Sequence, residues 1–371
     1  MNNSIVDVNI NSENDRSYPI IIGSGLLNEA DSILSSVIKG RRAVVITNTT
    51  IENLYREKFK INAEYIVIED GEEFKNFATY KKILDKLVDI GLQRKDFVIA
   101  LGGGVVGDIS GFAAASYMRG INFIQVPTTL LALVDSSVGG KVAINHEKGK
   151  NLIGAFYQPK LVLGDVDVLE TLDEKQFKSG LGEILKYAFI ERNCGAKVIY
   201  ENSLFEFLLQ NIENVYNRNK EVLCELIKRC CELKAAVVKA DEKESGLRAI
   251  LNFGHTFAHA IETCTNYTKY THGEAVAIGM MMAFDLSFEN SLITEEYRYK
   301  AQKLIKDYKL ADNFSHLAQI NKNDFIKAMT HDKKNDTDSI RFVLALDNGE
   351  CKIENITDKN LIKKVIDKYV G

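Results

Sequence analysis

Short apolar runs alternate with helical patterns in the first half of the chain. Five runs are rich in Val and Ile and are bounded by turn residues: RRAVVITN, AEYIVIED, DFVIALGGG, INFIQVPTT and KLVLGDV. Between the second and third, TYKKILDKLVDIGL places apolar residues at helical spacing and ends at Gly91. Strands that alternate with helices predict a mainly parallel sheet covered by helices on both faces.

The strand signal fades from about residue 173. NVYNRNKEVLCELIKRCCELKAAVVKADEKE and GEAVAIGMMMAFDLSFENS carry helical periodicity, whereas IRFVLALDNGECKIENI predicts a hairpin that turns at Asn348-Gly349. The fold class predicted is therefore α/β, with a parallel-sheet domain over residues 1–172 and a mostly α-helical domain over residues 173–371. Because no low-complexity linker separates them, we expect the domains to pack closely, with the crevice between them as the default ligand site.

Composition excludes several function classes. Of the 371 residues, 46% are hydrophobic and 26% charged, as in ordinary globular proteins. The net charge of −4 gives no indication of a nucleic-acid partner, although a local basic cluster can still bind a small anion. The N-terminus lacks the pattern of a signal peptide, and no apolar run approaches the length of about 18 residues that spans a bilayer. Six cysteines without a CxxC pair favour reduced thiols in a cytoplasmic protein.

A glycine turn follows the third predicted strand. Gly102, Gly104 and Gly107 match G-x-G-x-x-G and open a small-residue helix, so that backbone N–H groups could contact a pyrophosphate. The pattern alone fits a structural turn equally well, but its position between a strand and a helix favours a nucleotide. ITNTT and DGEEFKN follow two other strands and could contact its ribose or adenine. A solvated charge run is the alternative for the second segment.

A lysine-rich stretch could bind an anion. DSSVGGKVAINHEKGKNLIGAF contains Asp135, Lys141, Lys148, Lys150 and Asn151 among several glycines. Glycines beside lysines suit a backbone curled around an oxyanion. The alternative is a flexible surface loop, but the apolar flanks LLALV and NLIGAF favour partial burial.

Three histidines cluster in ILNFGHTFAHAIETCTNYTKYTHGE. His255 and His259, four residues apart, share one helix face and could bind one metal ion. TFA between them lacks the glutamate of H-E-x-x-H, so a zinc protease is not expected. The third ligand would be His272 or a carboxylate, with Glu183 of SGLGEILKYAFI as the candidate. A Glu183–Lys186 pair beside core histidines is the alternative, and spacing leaves open which two histidines would coordinate.

A polar series precedes the histidines. Lys234, Glu244, Arg248 and Asn252 come shortly before His255 in CELKAAVVKADEKESGLRAILNFGH, which directs them toward the same site. Lys234 and Arg248 could bind an anionic substrate, or each could be a surface helix residue.

In chain order, these segments resemble the 3-dehydroquinate synthase family, a group of sugar phosphate cyclases. The resemblance runs from about residue 40 to about 345 through GGGVVGDISGFAAASYMRG, QVPTTLLALVDSSVGGKVAIN, GKNLIGAFYQP, SGLGEILKYAFI, KADEKESGLRAILNFGHTFAHAIE and HGEAVAIGM. Several long motifs in the right order are more specific than any one of them. The family implies an N-terminal Rossmann-like domain that holds NAD, a mostly α-helical C-terminal domain that holds one divalent metal (Zn or Co), and a homodimer.

The resemblance also implies the site residues. The metal ligands would be Glu183, His255 and His272. Cofactor contacts would come from Asn48, Asp70, Gly71, Glu72, Glu73, Phe74, Lys75, Gly104, Val105, Val106, Gly107, Asp108, Thr128, Thr129, Lys141, Lys150, Val168, Leu169, Glu170 and Thr171. Catalytic residues would be Lys141, Lys186, Lys234, Arg248, Asn252 and His259, and substrate would also contact Arg119, Asp135, Asn151, Glu244 and Lys333 or Lys334. The segment TNTT departs from the Asp-Ser-Asn that is usual after the second strand.

The implied substrate is an anionic sugar phosphate, 3-deoxy-D-arabino-heptulosonate 7-phosphate. NAD would take hydride from C5, phosphate would leave by β-elimination, hydride would return, and the opened ring would close as a carbocycle. The lysines and Arg248 would neutralise carboxylate and phosphate, the phosphate itself would remove the C6 proton, and His259 would stabilise oxyanion intermediates.

Three alternatives differ in chemistry. Another sugar phosphate cyclase, such as 2-deoxy-scyllo-inosose synthase, would act on the phosphate of a neutral sugar, whereas Arg248 with Asn252 favours a carboxylate. A metal- and NAD-dependent polyol dehydrogenase of the glycerol type would release NADH. A non-catalytic homologue would release no phosphate.

Overall fold

The computed structural model describes residues 3–10, 16–195, 200–244, 246–312, 314–330 and 339–371. The chain forms two compact units, one of Met1–Leu172 with Arg218–Lys243 and one of Asp173–Asn217 with Glu244–Gly371. The second domain predicted from the sequence included residues 218–243, which group here with the first unit.

The first unit is built on a seven-stranded sheet. The described residues of the unit form nine strands: β1 (Ser4–Val8), β2 (Tyr18–Gly23), β3 (Ala43–Asn48), β4 (Glu64–Ile68), β5 (Phe97–Gly102), β6 (Asn122–Pro127), β7 (Lys141–His146), β8 (Gly149–Phe156) and β9 (Leu161–Asp165). The sheet order is β1-β2-β9-β6-β5-β3-β4, and every pairing is parallel except that of β1 with β2. A separate antiparallel hairpin consists of β7 and β8.

Thirteen α-helices are present in the described residues: α1 (Ala30–Ile38), α2 (Thr49–Tyr55), α3 (Phe77–Ile90), α4 (Gly104–Ser116), α5 (Glu174–Ile190), α6 (Leu204–Gln210), α7 (Ile212–Tyr216), α8 (Lys220–Ala240), α9 (His255–Cys264), α10 (His272–Glu289), α11 (Glu295–Asp307), α12 (Lys322–Thr330) and α13 (Lys359–Ile366). Within those residues, none of the helices combines the length and the apolar character that crossing a bilayer requires.

The predicted parallel sheet is confirmed. All five apolar runs form strands, namely β3, β4, β5, β6 and β9, and their side chains are mostly buried. Helices α3 and α4 pack on the core of the sheet through Ile83, Leu87, Val106 and Ile109. Helix α3 ends where predicted, at Gly91, whose φ of 70° is the left-handed conformation that terminates helices at low cost for glycine.

The second unit is mostly helical, as predicted, with one antiparallel hairpin of β10 (Ile340–Ala345) and β11 (Cys351–Ile356). The hairpin turns through Gly349, which has a φ of 77°. Helix α10 is buried along almost its whole length and packs against both α5 and α9. These three helices carry the side chains of the candidate metal centre.

Candidate metal centre and cofactor site

Three ligand-type side chains converge in the second unit. Glu183 lies in the middle of α5, whereas His255 and His272 are the first residues of α9 and α10. Oε1 of Glu183 lies 3.5 Å from Nε2 of His255 and 3.4 Å from Nε2 of His272. Two atoms bound at about 2.1 Å to one tetrahedral ion are about 3.4 Å apart, so the spacing and the N₂O donor set suit Zn²⁺ or a similar divalent ion.

The local sequence places the two imidazoles. Helix α9 begins after Gly254, whose φ is 79°, and helix α10 begins with a capping box in which Thr271 and Glu274 satisfy each other's backbone N–H groups. The remaining ring nitrogens also face oxygens: Nδ1 of His255 lies 3.2 Å from the carbonyl of Phe253. Both histidines therefore direct Nε2 toward the carboxylate of Glu183.

Electrostatics distinguish the two histidines. Burial lowers the pKa of His255 to about 3, so this ring is neutral and available to a metal. Burial also opposes protonation of His272, but hydrogen bonds to Glu183 and Glu262 outweigh it and raise the pKa of His272 to about 10. Because a metal ligand must be deprotonated, metal binding at His272 would release a proton.

Two other predicted residues of this unit, Lys186 and His259, lie beside the three ligand candidates, and Arg248 and Asn252 come shortly before His255 in sequence. Lys186 is buried and forms an ion pair with Oε2 of Glu183, so the predicted pair coexists with the ligand cluster. The exposed ring of His259 lies 5.6 Å from that of His255, centroid to centroid. Arg248 is only 1% exposed, and Asn252 donates a hydrogen bond of 3.0 Å to Glu244.

Most of the predicted cofactor residues of the first unit lie at one edge of the sheet, whereas Lys141 and Lys150 lie on the separate hairpin of β7 and β8. Asn48 ends β3, Asp70–Lys75 follow β4, Gly104–Asp108 follow β5, Thr128 and Thr129 follow β6, and Val168–Thr171 come after β9. Because these five strands are parallel, their carboxyl ends lie on the same side, where open α/β sheets bind nucleotides.

The glycine turn fits a dinucleotide phosphate. Helix α4 starts at Gly104, and no side chain caps its N-terminus. Its first backbone N–H groups are therefore available to an anion at the positive end of the helix dipole. The hydroxyl of Thr128 is buried and has no hydrogen-bond partner among the described residues. A ligand with acceptor oxygens would satisfy these donors.

A polar network centred on Lys75 follows the same edge. Its buried ammonium donates to Asp108 and to Oδ1 of Asn151, the latter at 2.6 Å. The N–H of Asn151 donates to Asn145, whose amide donates to Glu72. Burial raises the pKa of Asp108, and Lys75 opposes that shift. Sequence reasoning missed Asn145, whose signal was its place between two lysines of the cationic stretch.

Hydrogen bonds also hold the segments that follow β3 and β9 in place. Asp70 accepts hydrogen bonds from Asn48 at 2.6 Å and from Thr50 at 2.7 Å, which couples ITNTT to DGEEFKN. The hydroxyl of Thr171 is hydrogen-bonded to that of Tyr55 on α2. Both loops are thereby fixed at the sheet edge.

The cationic stretch forms the hairpin of β7 and β8 rather than an irregular loop. Lys141 and Lys150 are exposed on it. Asp135 lies on a short π-helical turn, Ala132–Ser136, and accepts a hydrogen bond from the buried ammonium of Lys234 on α8. Lys234 therefore belongs to the first unit and Arg248 to the second, although they are close in sequence.

Three predicted substrate residues have left-handed backbones. Arg119, Asn151 and Glu244 have φ values of 64°, 54° and 59°. Non-glycine residues adopt this conformation rarely, and such strain concentrates at functional sites. Lys333 and Lys334 lie outside the described residues.

The fold is that of the sugar phosphate cyclases. The structure of 2-deoxy-scyllo-inosose synthase with carbaglucose-6-phosphate, NAD⁺ and Co²⁺ superposes with a TM-score of 0.86 at 26% identity, covering 99% of this chain and 100% of the other. The 2-epi-5-epi-valiolone synthase from Streptomyces hygroscopicus subsp. jinggangensis 5008, with NAD⁺ and Zn²⁺ bound, gives 0.83 at 25% identity and covers 97% and 98%.

Sequence comparison identifies the family more narrowly than the structural similarity does. Residues 65–179 match the 3-dehydroquinate synthase N-terminal family and residues 180–335 the corresponding C-terminal family. The 3-dehydroquinate synthase of Geotalea uraniireducens (strain Rf4) is 44% identical over 358 residues, or 95% of this chain and 96% of the relative. The chain therefore belongs to the 3-dehydroquinate synthase family.

Proposed function

We propose that the chain converts 3-deoxy-D-arabino-heptulosonate 7-phosphate to 3-dehydroquinate and phosphate, a step of the shikimate pathway, using NAD and one divalent ion. The observation that carries the proposal is the convergence of Glu183, His255 and His272 on one point in a chain of this family. When bound, NAD accepts and returns a hydride at C5, and the ion acts as a Lewis acid on the oxygens there.

The metal would be held by Glu183, His255 and His272, since their donor atoms lie within 4.8 Å of one another. NAD would bind at the strand-end edge of the first unit, with its pyrophosphate at the N-terminus of α4 and Lys75 and Thr171 among its polar contacts. The ring nitrogen of His259 would hold or give up a proton as oxyanion intermediates form and collapse.

Substrate anions would be neutralised by cationic side chains. We assign Lys141, Lys186, Lys234 and Arg248 to the carboxylate and phosphate. Arg119, Asp135, Asn151, Asn252 and Glu244 would position the sugar hydroxyls, together with Lys333 or Lys334. Removal of the C6 proton is left to the substrate's own phosphate, which needs no protein base.

We further propose a cytoplasmic homodimer. All six cysteines are free thiols, and four of them are buried, as suits a reducing compartment. Light scattering of the purified chain tests the dimer: a mass of one protomer at micromolar concentration would contradict it.

The activity is tested by measuring phosphate release from the heptulosonate phosphate. We expect release that needs both NAD and metal, that a chelator abolishes and added Zn²⁺ or Co²⁺ restores, and that produces no net NADH. Steady NADH production from a polyol would instead identify a dehydrogenase. Turnover of a hexose 6-phosphate in place of the heptulosonate would identify a cyclase like 2-deoxy-scyllo-inosose synthase, and absence of any release would contradict catalysis.

A further inference from the structure

We propose that Glu262 is a positioning residue that orients His272 as a metal ligand. Glu262 lies on α9 and is 7% exposed, and its Oε1 lies 3.2 Å from Nδ1 of His272. The other ring nitrogen of His272, Nε2, lies 3.4 Å from Glu183. The imidazole is thus held between two carboxylates, one on each side.

The chemistry follows from the two nitrogens of the ring. A neutral imidazole carries its proton on one nitrogen and a lone pair on the other. A carboxylate that accepts a hydrogen bond from Nδ1 keeps the proton there, leaves the lone pair of Nε2 for the metal, and makes that lone pair a better donor. Glu262 therefore selects the tautomer and the ring orientation that coordination needs.

The two candidate ligand histidines differ in this support. His255 faces a backbone carbonyl, that of Phe253, which carries only a partial charge. His272 faces a buried carboxylate, whose full charge polarises the ring more strongly. Glu262 is also seven residues after His255 on α9, so one face of this helix supplies both a ligand and the support of another.

This inference rests on the metal site in the proposed function. Its test is the Co²⁺ dissociation constant of the metal-free, full-length chain, measured by competition with a chromophoric chelator, together with the visible absorption spectrum of bound Co²⁺. For Glu262→Gln we expect a Kd about 10–100-fold higher than that of the parent, and an altered Co²⁺ spectrum. Glu262→Asp, which keeps the charge but shortens its reach, serves as a second variant if Glu262→Gln does not fold.

Asp285→Asn is the matched control, because Asp285 is a buried carboxylate on α10 that accepts hydrogen bonds from Tyr369 and Arg298. It lies thirteen residues beyond His272, roughly 20 Å along the helix. The control should lower the free energy of unfolding and leave Kd and spectrum unchanged. Parent-like Kd and spectrum in Glu262→Gln would overturn the inference. Failure of the parent to bind Co²⁺ would instead overturn the metal assignment.

Discussion

Gly182 on α5 and Gly273 on α10 are in direct backbone contact: a Cβ atom added to Gly182 would lie 2.2 Å from the carbonyl oxygen of Gly273. Glu183 follows the first glycine and His272 precedes the second. The close approach of these two helices therefore brings the carboxylate within 3.4 Å of the imidazole. Any side chain at either position would separate two of the proposed ligands.

Gly182→Ala should weaken metal binding as well as stability. The added methyl group must push α10 away, because backbone rather than a flexible side chain blocks it. We expect a loss of about 1–3 kcal/mol in the free energy of unfolding and an increase in the metal Kd, measured by urea unfolding and by competition with a chelator.

Gly195→Ala is the control that distinguishes a loss of stability from a loss of metal affinity. Gly195 has a φ of 64°, and no atom of the described residues lies within 4 Å of a Cβ added there, so alanine strains the backbone by about 1–2 kcal/mol without displacing any of them. Metal affinity should be unchanged in this variant. Equal metal affinity in Gly182→Ala and the parent would contradict the role assigned to the contact.

Lys186→Met should bind metal more tightly and lose activity. Lys186 forms a buried ion pair with Glu183, so its charge would compete with a bound ion and repel it. Removing one unit charge a few ångströms from a divalent ion should lower Kd at least about tenfold, while phosphate release falls about a hundredfold or more. The control is Lys178→Met on the same helix, because the partly buried Lys178 pairs with Glu174 and not with a proposed ligand. Weaker metal binding by Lys186→Met would contradict the expectation.

Apolar runs between turn residues predicted β3, β4, β5, β6 and β9, of which all but β4 are buried almost throughout. They did not predict β1 and β2, which lie at one end of the sheet and in which buried and less buried positions mostly alternate. Spacing alone could not choose between His259 and His272, since the partners of His255 come from two other helices. Glu262 was missed for a related reason: its role depends on a residue of another helix.

Asn48→Ala should affect stability and cofactor affinity together. The side chain of Asn48 caps α2 by accepting from Ile51 at 2.8 Å, and it donates to Asp70 at 2.6 Å. We expect a loss of about 1 kcal/mol in the free energy of unfolding. NAD should also bind more weakly, measured calorimetrically, because Asp70 loses one of its donors.

Ser203→Ala removes a comparable cap, that of α6, and should cost similar stability without changing the NAD affinity. If the two variants bind NAD equally well, Asn48 contributes only as a helix cap, and the assignment of Asp70 to the cofactor site loses its support.

Glu244→Gly should impair substrate binding without lowering stability. Glycine relieves the left-handed backbone at φ 59°, a gain of about 1 kcal/mol that offsets the loss of the hydrogen bond from Asn252. The same change removes the carboxylate that accepts the 3.0 Å hydrogen bond from Asn252, so that this amide is no longer held for substrate and KM should rise. Ser291→Gly, at an exposed residue with φ 55° just beyond α10, should give the stability gain with an unchanged KM. An unchanged KM in both variants would mean that the strained backbone at Glu244 has no part in binding substrate.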